Sequence, residues 1–309
     1  MTIHRYMKQL ALILIVILTS ASIPRAYGDK KLSPMDVISK HLESIGPAEQ
    51  RARAKTMKLA GTCTLTVTEG GTGQAEGQAM MSSKGEMNMI QMTFTTGDAA
   101  VWTKFDGSNA TVSQFRPGRR TSLENFLAAY DVIFREGLLG GTLSKAWPFL
   151  NMESKNPKLE YSGLKKIDGK EVHAIKYTPR HGSDLKITLY FMANTFEHVR
   201  TEYEQTIYPT DQQRIGGGGG RPTAPARQRS SPARINVTEN YSDFRIEEGL
   251  NLPHTYKFEL SIQSEVRPAL VNWAFNLTQF TFNEPVSFSD SSGGMNNWSF
   301  ARYLARIHS

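Results

Sequence analysis

The stretch Tyr241–Gln263, YSDFRIEEGLNLPHTYKFELSIQ, decides the fold, because its second half alternates strictly between two kinds of residue. A strand with this two-residue period packs one face on an apolar interior and turns the other face to water. The stretch therefore predicts an antiparallel sheet with one buried and one wet face. The buried side carries His254, Tyr256, Phe258, Leu260 and Ile262, and the wet side carries Thr255, Lys257, Glu259, Ser261 and Gln263.

The residues before this strand predict a partner strand. Phe244 and Ile246 are apolar residues two positions apart, and Glu247-Glu248-Gly249 follows them. Because glycine accepts the positive φ angle that tight turns need, we expect a short strand, a short turn and then the long strand. The hairpin indicates fold and environment, and it contains no catalytic motif.

Residues Met1–Gly28 have the three parts of a secretory signal peptide. Arg5 and Lys8 form the basic start, Leu10–Leu18 is the apolar core, and Ala26-Tyr27-Gly28 places small residues at the cleavage positions. The core is about half as long as a membrane span. We expect cleavage before Asp29 and a mature protein that is soluble in the periplasm.

Cysteine usage agrees with an exported chain that is not lipidated. The sequence contains one cysteine, Cys63, and none directly after the leader core where an acylation site would lie. Cys63 falls on the apolar side of an alternating strand that begins near Met57. We interpret it as a small core residue.

The net charge of +7 is concentrated outside the part that we expect to fold. Arg5, Lys8 and Arg25 lie in the leader, and a group of arginines lies in the Gly/Arg/Pro-rich segment 211–234. This segment is too poor in apolar residues to pack, so we expect a disordered insertion there. The pattern does not predict the folded basic face of a nucleic-acid binder. Transient contact of the segment with an anionic membrane is the alternative to a purely solvated loop.

Two stretches carry helix signals. The first begins at Ser33-Pro34, which suits an N-cap and a first turn, and ends at Gly46-Pro47. His41 lies on its apolar stripe, and we interpret it as a tolerated edge residue because no second metal ligand is near. The second helix begins with the capping box Thr121–Glu124 and runs to Gly137. It is apolar on most of its circumference, so it must be covered on two sides or cover something itself.

Strand and turn signals alternate from Met57 onward. Glycine-containing turns recur at a spacing of about ten residues, which is typical of a meander of hairpins. The last strand, Val271–Phe282, changes phase, so we expect a β-bulge near Thr278-Gln279. Methionine is concentrated between Met80 and Met92, which fits either ordinary core or a pliable apolar cavity.

The order of these parts resembles that of a known family. The F-D-G turn Phe105-Asp106-Gly107, the apolar helical insertion after it and the motif Y-x-D-F…G-L-x-L-P-H over Tyr241–His254 are similar to the LolA/LolB-like lipoprotein-carrier superfamily. They are also similar to related outer-membrane-lipoprotein-sorting proteins. The resemblance spans most of the mature chain. This chain differs in its greater length, in its Gly/Arg/Pro-rich segment and in having no clear counterpart of the carrier's lid-locking arginine.

The resemblance implies an α+β, mostly β fold, namely a curved antiparallel unclosed half-barrel with helices on the concave side. The sheet pattern favours the same fold, since two helical stretches cover about ten strands only if the sheet curls around them. We expect this domain over residues 29–288, interrupted at 211–234, and a tail over 289–309 with a short helix at Trp298–Ile307.

Helices inside a curled sheet enclose either a packed core or a gated apolar pocket. Acyl chains suit such a pocket, at roughly 0.8 kcal/mol per buried methylene. We predict a carrier or binding protein for lipid or an acylated lipoprotein, which works with an outer-membrane or inner-membrane partner protein. The residues predicted to line the cavity and its lid are Met92, Phe94, Trp102, Phe126, Leu127, Tyr130, Ile133, Phe134, Tyr256, Phe258 and Leu260.

Other function classes have weaker support in the sequence. The histidines are dispersed and the known hydrolase, metalloprotease and phosphate-loop motifs are missing, so we predict no catalytic residues, no metal and no cofactor. An unrecognised hydrolase is one alternative. An envelope sensor or protein-interaction domain on the same scaffold is the other, because a fold does not determine a function.

Overall fold

The computed structural model describes residues 32–69, 72–95, 100–113, 121–208, 232–264 and 268–288 of the chain. The predicted leader, the tail with its short helix and most of the Gly/Arg/Pro-rich segment lie outside the described residues. Within the described residues, no helix combines the length and the apolar character that crossing a membrane requires.

The described strands form one antiparallel sheet, in agreement with the alternating patterns of the sequence. They are β1 Thr56–Glu69, β2 Gly73–Lys84, β3 Met87–Phe94, β4 Ala100–Phe105, β5 Ala110–Val112, β6 Lys158–Ile167, β7 Lys170–Thr178, β8 Lys186–Met192, β9 His198–Ile207, β10 Ala233–Glu247, β11 Leu250–Gln263 and β12 Ala269–Phe282. Their order in the sheet is β5-β4-β3-β2-β1-β12-β11-β10-β9-β8-β7-β6. β5 and β6 form opposite edges, so the sheet is not closed and the predicted half-barrel is confirmed.

The hairpin β10–β11 contains the stretch that predicted the fold. Glu248 and Gly249 form its two-residue turn with φ angles of 47° and 82°, and Glu247 pairs with Leu250. Two positive φ angles give the turn a twist that matches the flanking strands. β10 begins at Ala233, so Phe244 and Ile246 lie near its end. Its Glu239 is fully buried and faces inward.

The predicted bulge in β12 is confirmed. Ala60 of β1 pairs with Gln279, whereas Gly61 pairs with Leu277, so Thr278 is the extra residue. Gly61 is required at this place, because a Cβ there would lie 1.9 Å from the carbonyl oxygen of Asn276. The bulge keeps the aromatic residues on both sides of it facing the interior.

The helices lie at the start of the domain and between β5 and β6. They are α1 Pro34–Ile45, α2 Ala48–Arg53, α3 Ser122–Ala129, α4 Val132–Arg135 and α5 Met152–Lys155, with 3-10 turns at Gly141–Leu143 and Pro148–Asn151. Ser33 is the N-cap of α1 and a capping box begins α3, as predicted, and α1 also begins with a capping box. The expected single helix from Thr121 to Gly137 is wrong, because Tyr130 leaves the helical region at φ −118° and ψ 58°. Phe126 and Phe134, on either side of this break, are both buried.

Candidate functional site

A small apolar cavity lies between α3 and the inner face of the sheet. Its volume is about 30 Å³. It is lined by Ile90, Met92, Thr103, Leu123, Leu127, Leu139, Tyr256, Phe258, Trp273 and Phe275. The strands β3, β4, β11 and β12 form one wall, and α3 together with Leu139 forms the other.

Strand pairing places the sheet residues of this cavity side by side. Ile90 pairs with Thr103, and Tyr256 pairs with Phe275, so each pair projects from one face of the sheet. The rings of Tyr256 and Phe275 stack with centroids 5.0 Å apart. These contacts make the sheet wall of the cavity a rigid aromatic surface.

Part of the predicted set meets in the cavity. Met92, Leu127, Tyr256 and Phe258 line it. Phe94, Phe126, Tyr130, Ile133, Phe134 and Leu260 do not line it, although all except the half-buried Tyr130 are buried.

Trp102 is the predicted site residue that the structure places elsewhere. It is adjacent to Thr103 in β4, and neighbouring residues of a strand project to opposite faces. The Lys104 ammonium lies 5.7 Å from the Trp102 ring, so the two side chains share the outer face. Trp102, which was predicted to line the cavity, is therefore not among the residues that line it.

Several cavity residues were missed in the sequence. Ile90, Thr103, Leu123, Leu139, Trp273 and Phe275 line the cavity but were not predicted to do so. Trp273 and Phe275 could have been predicted from the sequence. They lie two positions apart in β12, on the face that the bulge keeps towards the interior. Leu139 lies in an irregular segment and gives no periodic signal.

Two buried polar side chains on the inner face of β3 and β4 lack hydrogen-bond partners among the described residues. They are the Thr103 hydroxyl and the Asn88 amide. Thr103 is 7% exposed and lines the cavity, and Asn88 is 3% exposed. A buried polar group without a partner is costly, so such a group at a cavity wall is available to a ligand.

The insertion between β5 and β6 has a front half, Thr121–Tyr130, that meets the sheet through apolar side chains. The Thr121 amide donates to Glu124 Oε2 at 2.6 Å, and the Glu124 amide donates to Thr121 Oγ1 at 3.2 Å, so the helix start is capped locally. Leu123 and Leu127 face the cavity. Burial and the nearby Asp184 carboxylate raise the pKa of Tyr130 to about 12, so its hydroxyl stays protonated.

The rear half, Glu136–Phe149, is tied to the sheet by buried hydrogen bonds. The Gly140 amide donates to Glu239 Oε2 at 2.8 Å. The same carboxylate accepts the hydroxyls of Tyr203 at 2.5 Å, Tyr241 at 2.8 Å and Tyr256 at 2.7 Å. Burial raises the pKa of Glu239, and the four donors oppose that rise. Tyr256 therefore connects this hydrogen-bond network to the cavity wall, because it belongs to both.

A second buried contact connects the rear half to α1. The Trp147 indole N–H donates to His41 Nε2 at 3.0 Å, and His41 Nδ1 lies 3.0 Å from the Phe196 carbonyl oxygen. His41 is fully buried, which corrects its interpretation as an edge residue. Burial lowers the pKa of His41 to about 3, so the ring is neutral and accepts the indole proton. His198 stacks on the other face of this cluster, 4.6 Å from the Trp147 ring centroid.

Two further hydrogen bonds hold the rear half at its ends. The Tyr177 hydroxyl donates to Glu136 Oε2 at 2.5 Å, and the Lys145 amide donates to Ser83 Oγ at 2.9 Å. The rear half is thus fixed to β7, to β10 and to β2, whereas α3 rests on the sheet through its leucines.

Among the described residues, no group of three or more His, Cys, Asp or Glu side chains is placed to hold a metal ion. Burial raises the pKa of Cys63 to about 11, so its thiol is protonated at neutral pH and is a poor nucleophile.

Comparisons with known proteins give likenesses of fold. No family model and no curated protein matches the chain. The matching solved structures include a LolA superfamily protein from Nitrosomonas europaea, at 12% identity and a TM-score of 0.44, over 82% of this chain and 96% of that one. A DUF1329 family protein from Desulfovibrio piger matches at 7% identity and a TM-score of 0.38, over 82% and 94% of the two chains.

A third match is the lipoprotein LppX from Mycobacterium tuberculosis, at 11% identity and a TM-score of 0.20, over 82% of this chain and 99% of that one. The superfamily that the sequence motifs resemble is thus represented among the matches. At these identities we base the function proposed below on the residues of this chain.

Proposed function

We propose that this protein is a periplasmic carrier or binding protein that holds lipid, or the acyl chains of a lipoprotein, between α3 and the inner face of the sheet. The observation that carries the proposal is the apolar cavity with an unpartnered Thr103 hydroxyl in its wall. Apolar walls suit an acyl chain, and one hydroxyl suits the ester or carboxyl oxygen at its end. The signal-peptide pattern of the sequence supports the periplasmic location.

The cavity volume requires α3 to move. A cavity of about 30 Å³ has room for little more than one water molecule, so it is closed to an acyl chain. Displacing α3 would open the surface formed by Met92, Phe258 and Trp273. The opened surface would then be extended by the underside of the insertion, which includes Phe126, Tyr130, Ile133 and Phe134. Phe94 and Leu260 would lie next to this surface on the sheet.

The binding energy available from this surface is sufficient for a lipid tail. Each methylene that leaves water contributes roughly 0.8 kcal/mol, so a tail of about a dozen carbons repays the opening of one short helix. For the carrier function, a membrane partner protein would deliver or receive the cargo. An envelope sensor or protein-interaction domain remains the alternative function.

The test uses a fluorescent fatty-acid probe and polar substitutions in the two halves of the insertion. For Leu127→Asn we expect at least about tenfold weaker probe binding, because a polar group replaces a cavity wall. We expect Leu127→Asn to lower the free energy of unfolding by about 1 kcal/mol or less. The substitution is unfavourable only while α3 is packed on the sheet, so its cost cannot exceed the free energy of opening α3. Binding is measured by probe fluorescence and stability by urea unfolding.

Leu138→Asn in the rear half is the matched control, since Leu138 is fully buried. There the same change strands an amide in a fixed core and should cost about 3 kcal/mol or more. If Leu127→Asn costs as much as Leu138→Asn, and the wild-type protein binds no apolar probe, the carrier function is wrong and the interaction domain takes its place.

A further inference from the structure

A second concavity, here called the basic cleft, lies away from the apolar cavity. It opens where the β2–β3 turn meets α1, α2 and the rear half of the insertion, and its volume is about 620 Å³. None of its lining residues lines the cavity under α3. A ligand in this cleft would therefore bind independently of the proposed acyl site.

The walls of the basic cleft are strongly cationic. The basic residues that line it are Arg51, Lys55, Lys84, Lys145 and Lys155. Glu86 is the acidic residue of its lining, and its carboxylate lies 3.3 Å from the Lys155 ammonium. Within the described part of the chain, the other four cations form no ion pair at 4 Å or less.

Two of these cations donate hydrogen bonds to backbone carbonyl oxygens. The Lys145 ammonium donates to the Arg51 carbonyl oxygen at 3.0 Å, and the Arg51 guanidinium donates to the Leu42 carbonyl oxygen at 2.5 Å. Burial lowers the pKa of Lys145, and the positive charges of Lys55 and Arg51 lower it further. Like charges that converge in a partly buried site repel one another unless an anion lies between them.

The floor of the basic cleft is apolar. Leu42, Ala52 and Ala54 contribute to it from the N-terminal helices and the residue after them, and Phe149 and Leu150 contribute from the insertion. Cations at the rim over an apolar floor complement a molecule that has an anionic head and a hydrocarbon stem. A phosphate suits a cleft lined by several cations better than a carboxylate does, because it carries more charge and more acceptor oxygens.

We propose that the basic cleft binds a phosphate group that carries an alkyl or acyl stem, with the phosphate oxygens at Arg51, Lys55, Lys84 and Lys145. The stem lies along the apolar floor. Lipid head groups and soluble phosphate esters both contain such a phosphate. The affinity that the stem adds distinguishes these two kinds of ligand. The proposal does not rest on the function proposed for the apolar cavity.

The experiment is calorimetric titration of the full-length protein with dodecyl phosphate below its micelle concentration. Inorganic phosphate, dodecanoate and dodecyl maltoside are the comparison ligands. We expect dodecyl phosphate to bind at least about tenfold more tightly than inorganic phosphate, a factor that two buried methylenes supply. We expect dodecanoate to bind more weakly than dodecyl phosphate, and the neutral maltoside to bind weakest.

The double variant Lys55→Gln/Lys84→Gln tests the site itself, because both side chains are exposed at the rim and are not needed for the fold. We expect it to weaken dodecyl phosphate binding about tenfold or more and to flatten its salt dependence. Lys170→Gln/Lys186→Gln removes the same charge from exposed positions outside the cleft and should change the affinity less than about twofold.

Three results would overturn parts of the proposal. Equal binding by the two double variants would show that the cleft is not the site. Equal affinity for inorganic and dodecyl phosphate would retain the phosphate site and assign it to soluble esters. Equal affinity for dodecanoate would remove the preference for phosphate. A Leu127→Asn variant that loses the fatty-acid probe and keeps dodecyl phosphate would separate the two sites.

Discussion

The two halves of the insertion between β5 and β6 are held to the same sheet by different forces. The front half faces it with Leu123 and Leu127, whereas the rear half places the Gly140 amide on the buried carboxylate of Glu239. Apolar contacts are non-directional and yield when an apolar ligand replaces them, whereas a buried hydrogen-bond network is fixed in geometry. On the function proposed above, the wall formed by α3 moves while the wall at Leu139 stays in place.

The largest expected effect comes from removing Glu239, whose carboxylate accepts the hydrogen bond that ties Gly140 of the rear half to the sheet. In Glu239→Ala, three tyrosine hydroxyls and the Gly140 amide lose their acceptor in a site without water access. Each stranded group costs about 1 to 3 kcal/mol, so we expect the free energy of unfolding to fall by more than about 3 kcal/mol. Urea unfolding with an unchanged m-value measures this loss.

Glu204→Ala is the control for that variant, because Glu204 is exposed on the neighbouring strand β9. It should change the free energy of unfolding by less than about 0.5 kcal/mol. A loss of about 1 kcal/mol or less in Glu239→Ala would contradict the anchoring role and remove the contrast between the two halves.

A smaller effect is expected from acid, through His41 and His198, which contact Trp147 of the rear half. Burial lowers the pKa of His41 from 6.5 to about 3 and lowers that of His198 well below 6.5. Their neutral rings contribute stability above about pH 6.5, and this stability is lost as the pH falls because the unfolded chain binds the protons. We expect a loss of up to about 1.4 kcal/mol for each ring between about pH 6.5 and 5.5, measured by urea unfolding.

His41→Gln separates this effect from other titrations, since glutamine stays neutral. The variant should be less stable at about pH 7 but should lose stability more slowly as the pH falls towards about 4.5. An unchanged slope would show that protonation of His41 does not limit the acid stability of the rear half.

The smallest expected effect compares two tyrosine hydroxyls. Tyr177→Phe removes the donor to Glu136 in the rear half and should cost about 1 to 2 kcal/mol, because the carboxylate loses a buried partner. Tyr130→Phe removes a half-buried hydroxyl at the end of the front half and should cost less than about 0.5 kcal/mol. Thermal or urea unfolding of both variants measures the difference, and equal losses would contradict the distinction between the halves.

The sequence predicted the features that have a local signal. The alternation from His254 to Ile262 predicted a strand with one buried face, and the change of phase in β12 predicted its bulge. Capping residues predicted the starts of α1 and α3. Each of these signals comes from residues within a few positions of one another, where the periodicity and the turn chemistry act.

The parts that could not be predicted depend on residues distant in sequence. Glu239 looks like a solvent-facing residue until Tyr203, Tyr256 and Gly140 surround it in the folded chain. The fixed wall of the cavity was missed for the same reason, because Leu139 is positioned by that contact and has no periodic neighbours. The face of Trp102 could not be predicted, because β4 is too short to fix its own phase.

The pairing of β1 with β12 has a consequence for the order of folding. Met57 pairs with Phe282, whereas every other pairing of the described sheet joins strands that follow one another in the chain. The hairpins on each side can form early from local contacts, but the two meanders join only after the last strand has been synthesised. Closing so long a loop delays the pairing, and β1 keeps an open edge during that time. We expect newly synthesised chains to need protection at this edge until β12 arrives.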